Sequence, residues 1–270
     1  MNKMLIPLAL LAALPLTAFA DNDGTWSGSG EAGFAAARGN AKSENLNAKL
    51  QFAKEDDTWK DNFYLTALRS KGEVKNQYVD ANGQIATANS YDLTSNRYEV
   101  GASMGYKLDE RSYIVGAARY ENDDFSPFDY QAIVSIGYGY TVLKNQVNEL
   151  SFEVGPGYKR YKPVDVLGPD FDADNNLVRH SFSSEGELVG RGLMAYKHNF
   201  TDTVSFVDTL LVEAGADNTF LQNDAGLQVD MSKKLALKVG YQVRHNSEVA
   251  AGLKKTDQLM TTNLVYNFGH

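Results

Sequence analysis

The sequence predicts an all-β fold: a transmembrane antiparallel up-and-down β-barrel of about 12 strands, an even count of the kind bacterial barrels use. Three observations predict it. The chain opens on an export signal, its mature part alternates apolar and polar residues from end to end, and the connections are by turns short and long.

The first element is the signal peptide, 1–20. Lys3 supplies the positive start, Met4 to Thr17 form an apolar run, and Ala18, Phe19 and Ala20 satisfy the small-x-small rule for cleavage near Ala20. Two prolines and a run shorter than the ~20 residues of a spanning helix argue against a membrane anchor. Residues 21–270 are then the barrel. The chain has no Cys, which removes disulfide frameworks and thiol chemistry, and its net charge of −8 argues against a nucleic-acid binder, which needs a basic face. A mean hydropathy of −0.37 is compatible with a barrel, because polar interior residues alternate with lipid-facing ones.

Twelve strands follow, at 25–37, 44–54, 59–70, 95–107, 112–122, 129–142, 147–160, 181–197, 203–214, 219–230, 235–246 and 257–268. In the second, Leu46, Ala48, Leu50 and Phe52 share a face. In the fourth, Tyr98, Val100, Ala102, Met104 and Tyr106 oppose Arg97, Glu99, Gly101, Ser103 and Gly105. That segment has the roughly 9–11 residues a tilted spanning strand needs, with Tyr at both ends of its apolar face. The sixth strand puts Tyr130, Ala132, Val134, Ile136, Tyr138 and Tyr140 on one face. The seventh does so with Leu150, Phe152, Val154 and Tyr158. Leu235, Leu237, Val239, Tyr241 and Val243 repeat the pattern, as do Met260, Thr262, Leu264, Tyr266 and Phe268. Pro156 inside a strand suggests a bulge. Asp208, on the face of Val204, Phe206 and Leu210, suggests that its strand is bulged or shifted. The strand at 219–230 is weakly apolar.

Short turns fall near 55–58, 108–111, 143–146, 199–202 and 231–234. The other connections, at 71–94, 122–128, 161–180 and 247–256, are longer, with shorter ones at 38–43 and 215–218. Short periplasmic turns, long external loops and an even strand count place both termini in the periplasm. Aromatic residues flank the short turns (Trp59, Tyr106, Tyr113, Tyr140, Tyr196, Phe200) and the other ends (Tyr98, Tyr120, Tyr130, Tyr158, Phe182, Phe220), as in the two girdles of a membrane barrel. A soluble β-sandwich also alternates, but it hides its apolar face and needs no rims of Tyr. Tyr266, Asn267 and Phe268 resemble the C-terminal aromatic signal read by the outer-membrane assembly machinery, with Gly269 and His270 following.

The mature chain resembles the salt-induced outer-membrane protein family (YdiY-like). Residues 24–39 open it with a strand ending in Gly39 and Asn40, followed by Ala41, Lys42 and Ser43, and it closes on Tyr-x-Phe. The resemblance implies an outer-membrane barrel facing lipid and lipopolysaccharide. It implies no ligand, reaction, cofactor or catalytic residue.

By parity the interior face carries Glu31, Lys49, Arg97, Glu99, Arg119, Glu121, Glu153, Lys159, Glu187, Arg191, Lys238 and Arg244. Charges of both signs can line a narrow pore or pair with one another and fill a closed one. Asp170, Asp172 and Asp174 have the spacing of the start of a calcium loop, but Asn175 stands where Gly is expected and Ser181 where the last carboxylate belongs, so a solvated acidic loop is expected. Divalent cations bridging to lipopolysaccharide phosphates are a third use of those carboxylates. His245 and Ser247 have the spacing of a hydrolase base and nucleophile without a visible orienting group. His180 stands beside Ser181 and Ser183, while His198 and His270 suggest no metal cluster. The leading expectation is a non-enzymatic barrel, either a narrow channel or a structural, stress-associated envelope protein. The alternatives are a lipid-active hydrolase, or a surface receptor or adhesin acting through loops 71–94 and 161–180.

Overall fold

A computed structural model describes residues 26–37, 42–79, 84–171, 177–249 and 254–269. The export signal, the Gly39–Asn40 turn, Asp172, Asp174 and His270 lie outside these residues. Twelve strands close a barrel in which each pairs antiparallel with its neighbours. They are β1 (Trp26–Ala37), β2 (Ser43–Glu55), β3 (Trp59–Val79), β4 (Ile85–Lys107), β5 (Ser112–Asp123), β6 (Phe128–Lys144), β7 (Asn148–Pro163), β10 (Glu185–Asn199), β11 (Val204–Ala214), β12 (Thr219–Asp230), β13 (Leu235–Asn246) and β14 (Thr256–Phe268). The seam joins β1 to β14, from Gly28 opposite Phe268 to Ala32 opposite Leu264. Between β7 and β10, β8 (Val166–Phe171) and β9 (Leu177–His180) form a separate two-stranded sheet.

Each short turn is built by one small polar residue that accepts backbone N–H groups two and three positions ahead. Asp56 accepts Thr58 and Trp59, Asp109 accepts Arg111 and Ser112, and Asn145 accepts Val147 and Asn148. Thr201 and Ser232 do the same with Thr203 and Val204, and with Lys234 and Leu235. Side chains of this kind mimic a backbone turn. The N–H groups of Trp59 and Thr58 hold the Asp56 carboxyl below its ordinary range, and those of Arg111 and Ser112 do so for Asp109.

Burial in the barrel is the reverse of that in a soluble protein. Leu188 (78%), Met260 (73%) and Val154 (67%) are exposed, whereas Lys159 (1%), Glu213 (1%) and Glu121 (2%) are buried. Water would penalise both halves of this arrangement, and hydrocarbon around an internally paired polar core penalises neither. Toward the short-turn end, Trp59 meets Tyr106 edge-on at 5.4 Å; toward the other end, Tyr98, Tyr120 and Tyr130 form a continuous run, with centroids 6.3 and 6.0 Å apart. Tyr113 and Phe220 do not belong to the rims, contrary to expectation. Both are buried, because Tyr113 shares the face of Arg119 and Glu121.

Four further expectations are corrected. The register is the same on either side of Pro156 (Ser135 opposite Gly157, Tyr138 opposite Val154), so no bulge forms there. Gly155 lies so close to the carbonyl of Ile136 that a Cβ would not fit. Nor is β11 bulged or shifted: it keeps one register with β10 and with β12 along its whole length, so Asp208 stays on the outward face. Within the stretch 71–94, residues 71–79 and 85–94 belong to β3 and β4, whose mutual ladder runs beyond their last pairings with β2 at Gly72 and β5 at Arg97. Its polar sequence has no apolar stripe, and the hairpin is held by its own ladder. Finally, β10 begins at Glu185 rather than 181, because Asp165 takes the Ser181 hydroxyl and the Phe182 N–H as hydrogen-bond donors at 3.3 and 3.4 Å.

In a bilayer, Val154→Arg is expected to destabilise the barrel by about 2–4 kcal/mol, as for a cation near the midplane. Urea unfolding in lipid vesicles measures this, and a neutral result would mean that Val154 faces water.

Candidate functional site

Alternation aims one face of each strand inward; apolar Val115, Ile133, Val189 and Val265 are buried there, and the polar side chains that meet among them form an ion-pair lattice. Its centre is Arg119 on β5, which grips Glu213 of β11 with Nε (3.1 Å) and Nη2. Its Nη1 reaches Glu121 at 2.8 Å and Glu99 at 3.6 Å. Glu121 also takes Arg244 Nη2 of β13 at 2.6 Å, and Arg244 Nη1 reaches Asp123 at 3.3 Å. Phe220 lies against both cations, its ring centroid 5.1 Å from the Arg119 guanidinium carbon and 4.9 Å from that of Arg244. Bidentate geometry and an aromatic face both favour Arg over Lys at such positions.

The lattice extends further along the wall. Arg97 donates to Gln242 (2.5 Å), Gln242 to Asp224 (2.6 Å), and Gln222 to the other oxygen of Asp224 (2.7 Å). Tyr64 lies over Gly101, where a Cβ would collide with its ring, and this posture brings its hydroxyl to Glu99 at 2.6 Å. Gly139 is covered in the same way by Tyr113, whose hydroxyl reaches Glu153 at 3.2 Å.

Glu121 and Arg244 stand on opposite walls, since β5 and β13 are as far apart as the ring of strands allows. Their contact therefore crosses the interior, and it does so near the long-loop end of both strands.

The other interior charges form local groups. Glu31 takes Lys238 (2.8 Å) and the Asn263 amide (3.2 Å), with Lys49 opposite it on β2. Asn47 donates to Asn263 at 2.7 Å. Arg191 donates to Glu153 at 2.9 Å. Lys159 is paired with Glu187 at 2.6 Å, and Glu187 also accepts the Asp217 N–H at 3.1 Å, which tethers the β11–β12 connection.

The residues expected inside thus divide into four groups: Arg97, Glu99, Arg119, Glu121 and Arg244; Glu31, Lys49 and Lys238; Glu153 and Arg191; Lys159 and Glu187. Sequence reading left Glu213, Asp123, Asp224 and Gln242 off the list of interior residues and assigned Phe220 to a rim. The parity of β11 was sufficient to find Glu213, but Asp208 on the outward face cast doubt on that strand.

His245 and Ser247 bond to different partners. His245 Nδ1 meets Thr256 Oγ1 at 2.9 Å, while Ser247 donates to Asn218 (3.2 Å) and accepts the Thr219 N–H (2.8 Å). Among the described residues, no group of three His, Cys, Asp or Glu side chains is placed to hold a metal ion.

A family model described as a protein of unknown function, DUF481, matches residues 30–268. The uncharacterized protein YdiY of Escherichia coli K12 is 27% identical over 243 residues, which are 90% of this chain and 83% of that protein. Among solved structures, the translocator domain of the autotransporter NalP from Neisseria meningitidis is similar with a TM-score of 0.49 and 13% identity, covering 93% of this chain and 90% of that one. The β domain of the Bordetella autotransporter BrkA is similar with a TM-score of 0.45 and 10% identity, covering 92% and 99%.

Lys159→Met leaves the buried Glu187 carboxylate without its cation and is expected to cost about 3–5 kcal/mol. Adding Glu187→Leu is expected to restore stability to within about 1 kcal/mol of the original, the value of the lost Asp217 bond. Unfolding midpoints of the single and double variants check both signs.

Proposed function

The chain belongs to the DUF481 family of proteins of unknown function, and we propose that it is an integral outer-membrane barrel bridged shut from within, a structural envelope component rather than a steady pore or an enzyme. The observation that carries this reading is the pair of Arg244 and Glu121, joined across the interior from opposite walls at 2.6 Å and both buried. Ions crossing the barrel would have to displace these groups, and an unpaired charge at such a site is costly.

The membrane assignment is supported by the belt of exposed apolar side chains and the tyrosine run above it. β1 starts and β14 ends at the short-turn end of the barrel, which in this reading is the periplasmic end, in keeping with delivery by the signal at 1–20. Outer-membrane lipid and lipopolysaccharide surround the belt. Tyr266 and Phe268 at the β1–β14 seam are the residues the assembly machinery reads.

Planar-bilayer recording of the refolded mature chain tests the proposal. The wild-type barrel is expected to be silent, and Arg119→Ala combined with Arg244→Ala to conduct. Steady wild-type conductance would overturn it.

A further inference from the structure

Asp208 is the fifth of the eleven residues of β11, and Asn223 the fifth of the twelve of β12. Both stand midway along their strands and on the outward face. Glu213, which meets Arg119 inside, fixes the parity of β11, and the unbroken register removes a bulge as an explanation. Asn223 Nδ2 donates to Asp208 Oδ1 at 2.7 Å and makes a longer contact, 3.4 Å, with the Thr209 carbonyl. Among the described residues, the second carboxylate oxygen of Asp208 and the amide oxygen of Asn223 accept nothing. A carboxylate and an amide at mid-height in hydrocarbon are costly with so few partners.

Beside the pair lies an apolar groove of about 310 Å³, floored by Ala225 and walled by Phe206, Leu227, Tyr241 and Met260. Acyl chains can fill such a groove but offer Asp208 no donor, and headgroups lie at another height.

We infer that this face docks a second copy of the same chain across a two-fold axis along the membrane normal. That axis is the placement that keeps both barrels correctly oriented in the bilayer. Around it, the Asn223 amide of each copy faces the free Asp208 oxygen of the other, so the surface is its own complement, as a two-fold contact requires. The apolar walls of the two grooves close around the polar centre and separate it from lipid. This inference rests on the membrane reading above.

Cysteine cross-linking in native outer membranes tests it, since the chain has no Cys of its own. Leu227→Cys sits in the groove, and Met104→Cys stands on the opposite wall with the same number of residues to its strand's short-turn end. On oxidation, Leu227→Cys is expected to give a species of two chains and Met104→Cys none. Adding Asp208→Leu and Asn223→Leu, both compatible with lipid, is expected to reduce the Leu227→Cys product to the Met104→Cys level. The inference is overturned if Leu227→Cys gives no more product than Met104→Cys, if the leucine variants leave the product unchanged, or if the adduct contains a different protein. The same samples run heated and unheated separate the two readings. Loss of the heat-dependent gel shift removes the membrane barrel and the dimer together, whereas a retained shift without cross-linking removes the dimer alone.

Discussion

A backbone N–H or C=O in hydrocarbon has no water to bond and must find its partner in another strand, and this requirement shapes the rest of the molecule. An open sheet would leave two rows of such groups along its edges, so β14 returns to β1. The seam is short, and its last pair sets Phe268 over Gly28, where a Cβ would not fit. Phe268 also packs against Phe52 at 5.4 Å, which ties the end of the chain to the second strand. The prolonged β3–β4 ladder runs past its neighbours' last pairings, where among the described residues no further strand pairs with its outer edges.

Closure turns the polar half of every strand inward. Buried charges such as Glu121, Lys159 and Glu213 need a counter-charge in reach, and the barrel brings opposite walls close enough to supply it for Glu121 and Arg244. Arg119 and Arg244 serve as hubs because a planar guanidinium can hold two carboxylates at once and still lie on the ring of Phe220. Glycine on the inward face has a related use: Gly101 and Gly139 leave room for Tyr64 and Tyr113 to lie flat and bring their hydroxyls to carboxylates. An interior assembled in this way resists rearrangement, since moving one member strands another.

The outward face obeys the opposite rule, which makes Asp208 and Asn223 informative. The same pair inside would be one more bond in the lattice. Outside, at mid-height, it is a polar centre in an apolar belt, beside a shallow groove lined by apolar side chains. A barrel can retain such a pair when another protein surface, rather than lipid, lies against it.

Strand number, strand faces and the positions of the short turns were legible in the sequence. Two environments on either side of a strand impose a period of two that no later event can alter. Arg97, Glu99, Arg119 and Glu121 could be placed inward on that ground alone, and the turn-building Asp56 and Asp109 act through their immediate neighbours in the chain. The residues that were misread depend on what lies across the barrel. Proximity to a strand end suggested a rim for Tyr113 and Phe220, but parity and partners from distant strands put them inside. The length of β3 and β4 depends on the ladder between them, because a polar hairpin carries no apolar stripe to announce it. Which glutamate meets which arginine was decided only by the tertiary structure: periodicity assigns a side chain to a face, while an ion pair across a closed barrel depends on the register and circumference that bring two walls together.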